Sequence, residues 1–118
     1  TTFDGKSGLN LALSAFWDGS KWHKVSNPNV AGSNNIFFGV AAVSAKNVLA
    51  VGLTFTNTGP DQTFSEQWNG TAWHILTTPD PSGSGTLTAV TRVPGASLYW
   101  AVGVSEGGGH NTLIESYC

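Results

Sequence analysis

The sequence predicts an all-β protein built from repeated four-stranded units, and three observations support this prediction. The chain has 118 residues, of which 15 are glycine and only 10% are charged, a profile that suits many turns better than solvated helices. Short apolar runs alternate with clusters of Gly, Pro, Asn and Asp, which is the pattern of strands separated by turns. The third observation is an internal repeat. No segment predicts a helix.

The repeat becomes visible when the chain is aligned with itself at an offset of 51 residues. A period of this size indicates a repeat architecture, in which each period forms one supersecondary unit. The run Ala50–Gly52 recurs as Ala101–Gly103. Five further residues recur in order, namely Trp17, Gly19, Trp22, His23 and Pro28 as Trp68, Gly70, Trp73, His74 and Pro79.

Each copy contains a turn flanked by tryptophans, with the letters WDGSKW and WNGTAW. Asp-Gly and Asn-Gly between apolar runs favour a two-residue type I′ hairpin turn, whose central residues both need a positive φ. With the turn at 69–70, Trp68 and Trp73 lie diagonally on one face, within aromatic reach. The same geometry brings Trp17 and Trp22 together.

The first part of the chain contains one predicted hairpin. Residues 1–8 are predicted to be the end of a strand followed by a loop. A strand follows in 9–17, and its partner in 20–26 returns after the Asp-Gly turn. Residues 27–35 are rich in Asn, Gly and Pro, which predicts a long connection.

Two almost continuous apolar runs follow, 37–43 and 48–52. Short unbroken runs bounded by turn residues are typical of strands buried on both faces. Their many small residues indicate that neighbouring backbones approach closely. The remaining predicted strands are 63–68, 72–77, 87–93, 98–103 and 112–117.

Each period therefore holds four short antiparallel strands, small and apolar at its start and tryptophan-rich at its end. Four strands in about 50 residues is the unit of a β-propeller blade. The predicted fold is all-β, with about two four-stranded antiparallel blades plus an extra strand, as part of a larger or oligomeric propeller. Residues 1–26 would end a partial blade, 27–77 would form a complete blade, and 78–118 a blade without its last strand. A single solenoid sheet or a sandwich is the alternative.

The third strand of the repeat occurs three times in the sequence but the fourth only twice. We therefore expect this chain to associate with further blades, either of a longer polypeptide or of other copies of itself.

The motifs resemble tandem repeats of large, mostly uncharacterised bacterial proteins that are thought to form propellers. The resemblance covers nearly the whole chain, and departs from the pattern at Leu49 and in the degenerate strand 9–16. It implies the fold and a secreted or cell-surface location, and it brings no catalytic residues. The residues that carry it are Trp17 to Trp22, Pro28-Asn29, Gly39 to Ala45, Ala50 to Gly52, Trp68 to Trp73, Pro79-Asp80 and Ala101 to Gly103.

Charge and hydropathy argue against two classes of partner. The formal net charge is −2 and the isoelectric point is about 5.8, whereas a nucleic-acid surface would be basic and clustered. No apolar run approaches the roughly 18 residues of a membrane span. The single cysteine, Cys118, allows no internal disulfide and no cysteine-based zinc site.

Catalytic, metal and cofactor sites are not predicted. Glu66 and Glu115 occupy equivalent positions and would suit the acid and base of a glycosidase. A residue repeated once per unit is more often structural, so we favour that interpretation. His23 and His74 also repeat, but no carboxylate or thiol accompanies them at ligand spacing, and packing is favoured over a metal site.

Two sets of residues are candidates for ligand binding. Four tryptophans, Trp17, Trp22, Trp68 and Trp73, would suit stacking on sugar rings, although packing between blades is favoured. Strands that run up and down place the long connections together at one end of the sheets, and loops on a rigid scaffold commonly carry recognition. The loop candidates are Asn34, Asp61, Asp80 and His110.

The predicted function is a non-catalytic binding or scaffold module of a secreted or cell-surface bacterial β-propeller, with its partner on the long-loop face. The expected partners are further blades or other copies of the chain, and possibly a glycan, but not nucleic acid. The first alternative is a lectin-like propeller with tryptophan-lined sugar sites between blades. The second is a glycan hydrolase.

Overall fold

The computed structural model describes residues 1–118 and contains eleven strands and no helix, which confirms the all-β prediction. The strands are β1 (Thr2–Asp4), β2 (Leu9–Leu11), β3 (Ser14–Trp17), β4 (Trp22–Val25), β5 (Asn34–Ser44), β6 (Asn47–Phe55), β7 (Gln62–Trp68), β8 (Trp73–Leu76), β9 (Gly85–Arg92), β10 (Tyr99–Ser105) and β11 (Asn111–Tyr117). They form four antiparallel sheets, ordered β1-β2, β3-β4, β5-β6-β7-β8 and β9-β10-β11. The sheets do not close into a ring.

The two larger sheets follow the predicted strands closely. Every predicted strand after residue 36 has an observed counterpart, with bounds that differ by at most three residues. Each strand of the four-stranded sheet pairs with the next one along the chain. That sheet lies inside the predicted unit 27–77, and the three-stranded sheet lies inside 78–118.

The core lies between the four-stranded and the three-stranded sheet, and we call it the filled layer. Its six buried hydrophobic residues are Leu49, Val51, Leu87, Tyr99, Ala101 and Leu113. The Tyr99 hydroxyl donates to the Asn47 carbonyl at 2.7 Å and accepts from the Val43 N–H at 3.1 Å. This tyrosine therefore ties the three-stranded sheet to the turn between β5 and β6.

The repeated Ala-Val-Gly run ends in a glycine because a carbonyl occupies the place of the side chain. A Cβ on Gly52 would lie 1.8 Å from the Ile36 carbonyl oxygen, where the register between β5 and β6 shifts. A Cβ on Gly103 would lie 1.8 Å from the Thr86 carbonyl oxygen, at the matching shift between β9 and β10. The two copies thus share one β-bulge and one requirement for glycine.

The prediction of a type I′ turn is wrong. The loop of the second hairpin has four residues, 69–72, and Trp68 lies directly opposite Trp73 instead of diagonally. The Asn69 side-chain oxygen accepts two backbone N–H groups of the loop, at 2.9 and 3.0 Å, and only Gly70 has a positive φ, 97°. The side chain closes the turn, so a second positive φ is not needed. The aspartate of the first hairpin does the same.

The prediction of one continuous strand over 9–17 is also wrong. The chain forms two short strands there, β2 and β3, and β2 pairs with β1. Between them, the Ala12 N–H donates to the Asn29 side-chain oxygen at 2.7 Å instead of to a neighbouring strand. A side-chain acceptor therefore interrupts the ladder.

The prediction that the apolar run 37–43 is buried on both faces is wrong as well. Phe38 is 54% exposed and Val40 is 67% exposed, so one face of β5 is largely uncovered. The strand that is buried on both faces is β6, with an unbroken run of buried residues from 49 to 54. One face of the four-stranded sheet is therefore only partly covered.

Candidate functional site

The largest cavity of the molecule is an apolar cleft on this partly covered face, opposite the β3-β4 hairpin. Its volume is about 810 Å³, and 13 of its 16 lining residues are hydrophobic. Val40, Val48 and Ala50 contribute its floor from β5 and β6. Ser14 and Phe16 contribute the opposite wall from β3. We call this cavity the open cleft.

Three of the four predicted tryptophans lie at the open cleft. Trp17, Trp68 and Trp73 line it, whereas Trp22 does not and is 69% exposed. Each hairpin pair is in contact as predicted, with ring centroids 5.7 Å apart in the first hairpin and 5.8 Å apart in the second. The Trp68 indole N–H donates to the Ala45 carbonyl at 3.2 Å, so it is already paired.

The wall strand β3 has one unpaired edge. It pairs with β4 in the same register in which β7 pairs with β8, since Trp17 lies opposite Trp22 just as Trp68 lies opposite Trp73. On its other edge β7 pairs with β6, but β3 has no partner there. Its unpaired backbone groups border the open cleft.

Glu66 is a fully buried carboxylic acid on the cleft side of the four-stranded sheet. Its Oε2 accepts a hydrogen bond from the Asn27 side-chain amide at 2.7 Å, and its Oε1 has no partner. Burial raises the pKa of Glu66 to about 7, although the bond from Asn27 opposes this shift. Asn27 in turn accepts from the Ser14 hydroxyl at 2.8 Å, which links the glutamate to the β3-β4 hairpin.

Glu115 occupies the equivalent position in the filled layer. The Tyr117 hydroxyl donates to its Oε2 at 2.6 Å, and its Oε1 is buried without a partner. Burial, assisted by the Asp80 charge, raises the pKa of Glu115 against the effect of the tyrosine bond. The four-stranded sheet separates the two glutamates, and neither lines the open cleft. They therefore do not flank a common site.

The two repeated histidines close the hairpins on which they lie. His23 Nε2 lies 2.5 Å from Asp18 Oδ2, and His74 Nε2 lies 3.0 Å from Asn69 Nδ2. The bond to His23, with two backbone N–H groups, lowers the pKa of Asp18. No group of three or more histidine, cysteine or acidic side chains is arranged to hold a metal ion.

Three of the four loop candidates lie on the long connections, but the placement of Asn34 in a loop is wrong, because Asn34 is the first residue of β5. The side chains of Asn34 and Asp80 hold the backbone together. Asn34 is 7% exposed, and its side-chain oxygen accepts the Asn10 N–H at 2.9 Å. Asp80 accepts the Thr63 N–H at 3.1 Å. The Asp61 carbonyl accepts the Gly85 N–H at 2.9 Å, which joins two of these connections. Asp61 bonds through its main chain only, and His110 is the one exposed residue of the four, with its ring 3.7 Å from a Glu106 carboxylate oxygen.

Sequence reasoning did not identify Phe38 and Val40, the most exposed large hydrophobic residues at the cleft. An unbroken apolar run shows that a strand is apolar on both faces, but not that both faces are covered.

Comparison with known proteins gives no relative. No family model, no curated protein and no solved structure matches the chain. The chain contains no helix that is long and apolar enough to cross a lipid bilayer.

Proposed function

We propose that this chain is a non-catalytic scaffold module made of β-propeller-type blades, which works by stacking its sheets against further units of the same kind. A secreted or cell-surface bacterial protein is the setting that the sequence resemblance favours. The single observation that carries the proposal concerns equivalent faces of the two larger sheets. The face of the three-stranded sheet that bears Tyr99 and Ala101 is covered by the four-stranded sheet, whereas the equivalent face of the four-stranded sheet keeps Phe38 and Val40 exposed.

The equivalence can be followed residue by residue. Ala101 and Tyr99 of β10 are fully buried against the four-stranded sheet. Their counterparts on β6, Ala50 and Val48, line the open cleft. The same positions of the repeat thus form a packing surface in both copies. The surface on β10 is covered by the four-stranded sheet, whereas the surface on β6 has no large sheet over it.

The far side of the three-stranded sheet is also apolar and uncovered. Trp100, Val102 and Ile114 are 44%, 41% and 58% exposed there. Contiguous apolar surface of this kind marks interaction sites on soluble proteins. Both ends of the stack of sheets therefore favour association.

The chemistry of the open cleft favours this proposal over a sugar site. Sugar recognition needs convergent polar groups that fix the hydroxyls, beside any aromatic platform. The cleft is almost entirely apolar, and the Trp68 indole N–H is already paired. The buried, separated glutamates likewise give a glycan hydrolase no accessible pair of carboxyl groups.

The test is the mass of the chain in solution. Sedimentation velocity over a range of micromolar concentrations should show species heavier than 12.3 kDa, and Ile114→Asp on the far side of the three-stranded sheet should weaken their formation. A folded monomer at every concentration would contradict the proposal. A saturable change in tryptophan fluorescence on titration with a glycan, without any association, would favour the lectin instead.

A further inference from the structure

The unpaired edge of β3 has a defined partner in the other copy of the repeat. In the four-stranded sheet, Ser65, Glu66, Gln67 and Trp68 of β7 pair with Val51, Ala50, Leu49 and Val48 of β6. The residues 51 positions earlier, Ser14 to Trp17, form β3 and have no strand on that edge. An unpaired edge is a template for another strand.

The filled layer shows what such a strand would contribute. Leu49 and Val51 of β6 are fully buried, and both pack against the three-stranded sheet in the core cluster. The surface that receives them includes Tyr99 and Ala101. Their counterparts Val48 and Ala50 are on the floor of the open cleft. The cleft therefore presents the equivalent surface, with no β6-type strand packed on it.

We propose that the open cleft binds one extended β-strand of the β6 type, donated by a further unit of this repeat, which adds antiparallel to the free edge of β3. This inference rests on the proposed function and specifies how it is carried out. Main-chain hydrogen bonds to β3 supply affinity, and alternate side chains supply specificity, as in other cases of strand addition.

The register of the donated strand follows from the repeat. Its residues equivalent to Val51, Ala50, Leu49 and Val48 lie opposite Ser14, Ala15, Phe16 and Trp17. The Leu49 and Val51 equivalents point to the floor of the cleft, because the side chains of a strand alternate between its faces. The Val48 and Ala50 equivalents point away from it. The donated strand must therefore be aliphatic at alternate positions.

A peptide with the sequence of residues 46–54 is a direct probe of this register. Labelled with a fluorophore and titrated with the intact protein, it should bind saturably with one peptide per chain, as followed by fluorescence anisotropy. Placing Asp at the positions of Leu49 and Val51 should weaken binding at least about tenfold. Placing Lys at the positions of Val48 and Ala50 should change it less than about threefold.

Two variants of the protein locate the binding surface. Val40→Asp places a charge on the floor at a residue that is 67% exposed, so the fold should tolerate it while peptide affinity falls at least about tenfold. Phe3→Asp is the matched control, because Phe3 is 66% exposed on β1 and does not line the open cleft. Its peptide affinity should equal that of the wild type. Circular dichroism and thermal unfolding verify that both variants are folded.

Equal binding of the peptide with two Asp residues, or equal affinity of Val40→Asp and the wild type, would overturn the strand-acceptor proposal. Its failure is distinguishable from failure of the proposed function. If the wild type associates in an Ile114-dependent manner but no peptide binds, the scaffold proposal stands and strand donation falls. If the peptide binds but the chain does not associate, the cleft accepts a strand and the scaffold proposal falls.

Discussion

Equivalent strands of the repeat, β9 with β10 and β5 with β6, contribute one side of the filled layer and the floor of the open cleft, but only the filled layer is closed by a second large sheet. In the filled layer, Leu87 and Tyr99 are fully excluded from water. At the open cleft, Val40 on the strand equivalent to β9 is 67% exposed. The difference teaches that burial in this repeat is decided by the neighbouring unit, and not by the apolar sequence of the strand itself.

The first prediction uses the largest energetic contrast between the two layers. Leu87→Ala removes a fully buried side chain from the filled layer and should lower the free energy of unfolding by about 2–5 kcal/mol. Val40→Ala should change it by less than about 0.5 kcal/mol, because this side chain is mostly in water already. Denaturant titration followed by circular dichroism measures both. Similar losses in the two variants would mean that the cleft is covered in solution.

A second prediction concerns the hydroxyl that ties the filled layer together. Tyr99→Phe removes it and leaves the Val43 N–H and the Asn47 carbonyl without this partner, at a loss of about 1–3 kcal/mol. The open cleft has valine at the equivalent position and makes no such bond. Ser44→Ala is the control, because its hydroxyl bonds to the Lys46 N–H in the same turn but in water. If both substitutions had the same small effect, the tyrosine would contribute packing only.

The third prediction compares the acids of the two layers through pH. The pKa of Glu66 is about 7 in the folded protein and near 4.5 in the unfolded chain, so the folded state holds the proton more tightly. Its contribution to stability is complete below pH 4.5 and is lost as the pH rises to about 7. Glu66→Gln should remove this dependence and be more stable than the wild type at pH 8. Denaturant melts from pH 4 to pH 8 measure the difference.

Glu115→Gln provides the companion measurement in the filled layer, since burial also raises the pKa of Glu115. Its variant should likewise lose part of the fall in stability with rising pH. Parallel pH profiles of the wild type and both variants would show that neither acid is buried in solution.

The strands of the two larger sheets could be predicted from the sequence because their signals are local. Apolar runs such as 48–52 predict the presence of a strand but not its exact limits, since β6 continues past Gly52 to Phe55. The contact between Trp68 and Trp73 could also be predicted, but not their register, because the Asn69 side chain closes a longer loop than Asn-Gly usually does. Neither result depends on distant parts of the chain.

The open cleft could not be predicted, for a physical reason. The exposure of Val40 depends on whether a strand of another unit lies over it, and the sequence of β5 contains no information about that neighbour. The interruption at Ala12 was equally hidden, because it depends on the side chain of Asn29, which is distant in sequence. A sequence pattern shows which face of a segment is apolar, whereas these features depend on which other part of the structure contacts that segment.

The glycine opposite each bulge also has a consequence for how such repeats change in evolution. A slip of one residue between the first two strands of a unit would place a side chain onto the carbonyl that now faces Gly52 or Gly103. The same slip would move all the core-facing side chains of the strand to the opposite face of the sheet. The glycine therefore fixes the register of the two strands, whatever the length of the turn that connects them. Insertions and deletions in the connecting segments do not change this register. Duplicated copies of the unit can therefore differ in their loops and still keep the same side chains on their stacking surfaces.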